Sequence, residues 1–169
     1  MRAHAAVRVE CVDGRPRIAE LRSEPPLTLR RTGPYRVHLV GSAAGPLRGD
    51  ELRLSVHVGP SARLELRGLG AMLALGGDAP PATLTFDVRV EDGGTLHARL
   101  PPTILATDSL LHTSLRVELA ETARLLWSEV TVLGRHAEPG GAARQSVSVA
   151  TTIRRPPTRS SSSWTSRAG

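Results

Sequence analysis

The sequence has little of several things. It contains a single cysteine, no lysine, two tryptophans, one tyrosine and one phenylalanine. Cys11 alone excludes an internal disulfide and a cysteine-based zinc site, and suits a reducing cytoplasm. Without lysine there is no phosphate-binding P-loop. With so few aromatic rings (Tyr35, Phe86, Trp127 and Trp164), leucine, valine and alanine must fill the core. No run approaches the roughly 20 apolar residues of a membrane-spanning helix. The opening stretch MRAHAAVRVECVDGR lacks the continuous apolar segment of a signal peptide. A cytoplasmic protein with no membrane partner is the expectation.

Charge is plentiful but one-sided in its chemistry. All 22 basic residues are arginine, and the net charge is +6. This usage fits a GC-rich coding sequence. The tail holds Arg154, Arg155, Arg159 and Arg167 with no acid, so it carries most of the excess and leaves the first 150 residues near balance. Duplex binding requires a concentrated basic stripe. None stands out before the tail, and no nucleic-acid partner is expected.

What the sequence does have is alternation. Val7 and Val9 share one face of a first strand, Asp13-Gly14 is a turn, and Ile18 to Leu21 starts the return. Leu27 to Arg30 and Tyr35 to Val40 follow as further strands. Three longer segments then repeat one unit. Leu52 to Val58 turns at Gly59-Pro60-Ser61-Ala62 and resumes at Arg63-Leu64-Glu65-Leu66. Leu84 to Val90 turns at Glu91 to Gly94 and resumes at Thr95-Leu96-His97-Ala98. Leu115 to Leu119 turns at Ala120 to Ala123 and resumes at Arg124-Leu125-Leu126-Trp127. The last apolar residues before the turns are Val58, Val90 and Leu119, spaced by 32 and 29 residues. A unit of about 30 residues marks a stacked architecture, in which each layer covers its neighbour. The expectation is an all-β, β-helix-like stack of strand–turn–strand repeats with at most one or two short helices. An antiparallel sandwich also alternates with turns at intervals. Gly70 to Leu75 fits a helix or a strand. Residues 1–150 read as one domain. Residues 151–169, ending RRPPTRSSSSWTSRAG, read as a disordered tail rich in serine, proline and arginine.

Catalytic and metal signals are sparse. No two of His4, His38, His57, His97, His112 and His136 have the i, i+4 or H-x-H spacing of a local metal site. Their expected state is exposed and unligated. Asp108, Ser109 and His112 could compose a hydrolytic triad, but triads are normally drawn from separate elements, and no G-x-S-x-G elbow is present. Two acids stand out. Asp50 opens the first repeat, and Glu129 lies in the apolar stretch Leu125 to Val130. A carboxylate among Leu, Trp and Val is either paired, with Arg135 a candidate, or lines a polar channel.

Four segments together resemble the urease accessory protein UreD (UreH) family. They are LRSEPPLTLR (Leu21–Arg30), PLRGDELRLSVHVGPSARLEL (Pro46–Leu66), Pro101-Pro102-Thr103-Ile104, and LRVELAETARLLWSEVTVLGR (Leu115–Arg135). The resemblance covers roughly residues 20–140. It departs from the family at Arg67 to Met72, where members usually carry a Thr/Ser-rich stretch, and beyond residue 150. That second change of character points to truncation or a shifted reading frame.

The resemblance implies a β-helix-like fold and a scaffold that is not an enzyme. It implies partners as well: UreF-like and UreG-like accessory proteins, assembled on apo-urease to deliver nickel. On this reading Asp50 and Glu129 are candidate metal residues lining an internal path, and Gly134 and Arg135 are structural motif positions. No tightly bound cofactor is implied, only transient nickel. A β-solenoid interaction module unrelated to urease is the alternative.

Overall fold

The computed structural model of the protein describes residues 1–135, 137 and 139–152. The chain opens with two antiparallel hairpins. In the first, β1 (Arg2–Val12) returns through Asp13-Gly14 into β2 (Arg15–Arg22). In the second, β3 (Leu27–Arg31) pairs with β4 (Arg36–Gly41). Three circuits of the same plan follow. The first is β5 (Glu51–Val58), β6 (Arg63–Leu69) and β7 (Met72–Ala74). The second is β8 (Ala82–Val90), β9 (Thr95–Arg99) and β10 (Thr103–Leu105). The third is β11 (Leu110–Ala120), β12 (Arg124–Ser128) and β13 (Thr131–Leu133), after which β14 (Ala142–Thr152) begins another layer. Corresponding strands of successive circuits pair in parallel and build three sheets. Their orders are β14-β11-β8-β5-β1-β2, β12-β9-β6-β4-β3, and β13-β10-β7. This is a β-solenoid, all strand among the described residues.

The sequence repeat and the structural layers coincide. Val58 sits in register with Val90, and Val90 with Leu119. The turns stack too, since each closes with the same backbone bond, from Ala62 to Gly59, Gly94 to Glu91 and Ala123 to Ala120, at 3.1, 2.8 and 3.0 Å. Between layers, Ser61 N–H donates to Asp92 O, Thr95 to Ala62 O and Arg124 to Gly94 O. The hydroxyl of Thr122 accepts from Gly93 N–H at 2.8 Å.

Alternation places one side chain in two inside the solenoid. The register then turns inward residues into columns, such as Leu54-Phe86-Leu115 and Val56-Val88-Val117 in the six-stranded sheet. Leu64-Leu96-Leu125 and Leu66-Ala98-Trp127 face them from the five-stranded sheet. Phe86, buried, meets Trp127 edge to face at 5.2 Å between centroids. Burying such a ring contributes about 2 kcal/mol. Ala98 is the small member of its column, between Leu66 and Trp127. The core is thus mostly aliphatic, as the composition requires.

Gly70 to Leu75 resolves as strand: Met72–Ala74 is β7, held parallel to β10. Three residues have no helical future when the next circuit supplies a ready ladder partner. β14 extends two residues beyond the domain boundary expected at 150. The remainder of the expected tail, residues 153–169, lies outside the described residues.

Candidate functional site

Asp50 occupies the tight turn that launches β5 and is 3% exposed. Its Oδ2 accepts the Leu47 amide at 2.8 Å, and its own amide returns to Leu47 O at 3.0 Å. Oδ1 accepts the Met1 amino group at 2.6 Å. Its carbonyl accepts Thr83 N–H at 2.7 Å, tying the first circuit to the second. Each carboxylate oxygen therefore has a donor in place. Asp50 holds a junction of layers together, and a cation there would have to displace one of these donors.

Glu129 lies at the corner between β12 and β13. Oε1 accepts the Trp127 indole N–H at 2.5 Å, and Oε2 accepts Gln145 Nε2 at 3.3 Å. With Thr103, Thr113, Met72, Leu84 and Phe86 it lines a small, partly open cavity of about 10 Å³, the room of about one water molecule. Glu129 is therefore the one acid at a cavity lined by threonines and apolar side chains. Asp50 does not line that cavity. No three His, Cys, Asp or Glu side chains of the described residues gather where they could hold a metal ion. Single carboxylates offer hard oxygen donors, a poor match for tight capture of a borderline metal.

Gly134 follows β13 with φ +81° and donates its N–H to Leu105 O at 2.8 Å. A side chain is disfavoured in that left-handed conformation, which suits the glycine of the LGR element. Arg135 is exposed next to it. The Asp108, Ser109, His112 grouping does not assemble as a triad. Ser109 is buried and its hydroxyl donates to Ala106 O at 2.7 Å, while His112 is exposed.

The histidines divide. His57 Nε2 lies 2.7 Å from Glu91 Oε1, so this one is paired and only partly exposed. His38 Nδ1 lies 2.8 Å from the Thr32 hydroxyl. His4 Nε2 lies 2.8 Å from the Ser55 hydroxyl, and its Nδ1 accepts from Arg22. Burial, then the Arg22 and Arg53 charges, push the His4 imidazole below its ordinary value, in keeping with a ring nitrogen that must keep its lone pair. His136 lies outside the described residues.

The sequence gives no hint of one arrangement. Glu65, nearly buried on the outer side of β6, is clasped by Arg36 on β4 at 2.6 Å and by Arg67 from its own strand. Hydrogen bonds from Arg36, then Arg67, hold its carboxyl below the usual carboxylate value, and the same bond raises Arg36. Arg36 and Glu65 are 29 residues apart; only the parallel register of β4 on β6 makes them neighbours.

The geometry defines a β-solenoid whose polar side chains mostly bind its own layers together, with neither a metal cluster nor an assembled triad among the described residues. The profile of the UreD urease accessory protein family matches residues 1–167. The chain is 46% identical over 165 residues to the urease accessory protein UreD of Frankia alni, which covers 83% of this chain and 55% of that protein. It is 46% identical over 151 residues to urease accessory protein UreD 1 of Saccharopolyspora erythraea (83% and 59%), and 42% identical to UreD 3 of Streptomyces griseus (84% and 59%). The chain belongs to the UreD family. It spans little more than half the length of these relatives.

Proposed function

We propose that this protein serves urease maturation as a scaffold, joining UreF-like and UreG-like proteins on apo-urease in the cytoplasm and helping nickel reach the active site. The observation that carries the reading is the family match over nearly the whole chain, with relatives named for urease accessory work. The solenoid supports it by offering long ladder edges and broad sheet faces, which are surfaces for holding proteins. Nickel is cargo here. Glu129, at the small cavity by the corner between β12 and β13, is the better candidate for contact with it in passing, whereas Asp50 already has a donor at each oxygen.

Deleting the gene in a urease-producing host tests the reading. Urease activity and nickel per urease active site should both fall severalfold, and both should return on complementation. Unchanged activity and unchanged nickel content would refute it.

A further inference from the structure

The two large outer faces of the solenoid differ in charge, although the first 150 residues are near neutral in sum. On the six-stranded sheet, arginines and acids interleave across neighbouring strands. Arg53 meets Asp87 at 2.6 Å, Arg2 meets Glu51 at 3.0 Å, and Arg116 and Arg89 reach Asp87 and Glu118. Apart from Arg15, Arg17, Arg22 and Arg144 on its two edge strands, that face is electrically paired.

The outer face of the five-stranded sheet is not. Outward positions place Arg30, Arg36, Arg63, Arg67, Arg99 and Arg124 there, against one acid, Glu65. Arg36 and Arg67 share that acid, and Arg63 stacks over the Tyr35 ring at 5.0 Å. Arg30, Arg99 and Arg124 have no ion pair among the described residues. Register puts Arg30, His38, Arg67 and Arg99 in one row across β3, β4, β6 and β9. At strand spacing the row is about 14 Å long. Beneath it lies an open groove of about 510 Å³ bordered by Arg36, His38, Arg67, Arg99 and Pro101. The basic stripe that the linear sequence does not display is assembled by the stacking of layers.

We infer that this face docks an acidic segment of a partner protein. Adjacent strands are spaced about 4.8 Å apart, close to the 5.4 Å pitch of a helix. Carboxylates placed once per turn on a helix laid across the strands would meet the arginines in sequence. Two leucines adjoin the arginines, Leu126 at 57% and Leu69 at 60% exposure. Arginine beside exposed apolar side chains is the composition of a protein interface. Single-stranded nucleic acid instead calls for aromatic platforms, and the Tyr35 ring is already covered by Arg63. The inference names the chemistry of a partner and stands whether or not that partner belongs to urease maturation.

The test uses the full chain and two labelled probes of equal length. One is a helical peptide with one glutamate per turn and interspersed leucine, and the other is a single-stranded oligonucleotide. Fluorescence anisotropy is read at low and high salt, and circular dichroism checks the fold of each variant. The peptide should bind at low salt and weaken about tenfold or more as salt rises from about 50 to 300 mM, since screening shortens the reach of charge. Arg67→Glu with Arg99→Glu should weaken it at least about tenfold. The charge-matched pair Arg2→Glu with Arg144→Glu, on the other sheet, should change it by less than about twofold. Equal binding by the Arg67/Arg99 variant, no peptide binding, or tighter binding of the oligonucleotide would each overturn the inference.

Discussion

At the scale of single residues, position inside the stack decides what a substitution costs. Gly68 is the sharpest case. A Cβ built on it would lie 2.0 Å from the backbone nitrogen of Pro101 and 2.4 Å from its Cα, in the loop after β9. The next layer passes directly against this residue, so Gly68→Ala must displace backbone. It should cost about 2–3 kcal/mol, measured by urea unfolding. Gly41→Ala meets nothing within 4 Å, and should stay within about 0.5 kcal/mol of the parent. Equal effects at the two glycines would show that the layers are less tightly apposed than described. Glu65 tests charge in the same way. Its folded-state pKa is depressed by Arg36 and then Arg67. The stabilisation it provides is therefore fully present above its ordinary value near 4.5 and is lost as pH falls through the lower folded value. The parent should lose stability on acidification over that window, and Glu65→Gln should show a shallower decline together with lower stability at neutral pH. Parallel stability–pH curves for the two proteins would contradict the assignment.

At the scale of elements, much of the architecture is legible in the residue order. Period-two alternation finds the strands, and the recurring turn aligns Val58, Val90 and Leu119, which the fold places in register. The turn signal survives because a stacked turn must repeat its geometry to keep the ladder, so small residues recur at Ala62, Gly94 and Ala123. Shorter pieces were harder. β7, β10 and β13 have three residues each, too few for any periodicity, and neighbouring layers define them. The site was legible only in part. Glu129 stands out because an acid sits in an apolar run, and the structure gives it the Trp127 indole N–H as donor at the edge of a small, partly open cavity. The partners Met1 and Thr83 of Asp50 were invisible, since they reach it from neighbouring layers but lie far from it in sequence. The clasp around Glu65 and the arginine row were hidden for the same reason. Alternation tells which side of a strand a charge occupies, but only register tells which charges become neighbours.

At the scale of the whole molecule, a solenoid is held together by nearest-neighbour contacts, so stability should vary along the stack. β8 lies between β5 and β11, and its inward residues Leu84, Phe86, Val88 and Val90 are all at most 3% exposed. Among the described residues β14 has a ladder neighbour on one side, β11, and its inward column includes Val147 and Val149, 63% and 60% exposed. These valines continue the columns of Leu115 and Val117, yet they bury little apolar surface to oppose the entropy of ordering the strand. Opening β14 breaks one interface, whereas opening β8 breaks two. Hydrogen exchange should reveal this gradient. Amides of β14 that donate toward β11 should exchange at least about tenfold faster than ladder amides of β8, because local opening needs less free energy there. A dilution series should leave the difference unchanged if the chain remains monomeric. Equal protection of β14 and β8 at every concentration would mean that stability is shared evenly along the stack, and would refute the layer-by-layer account.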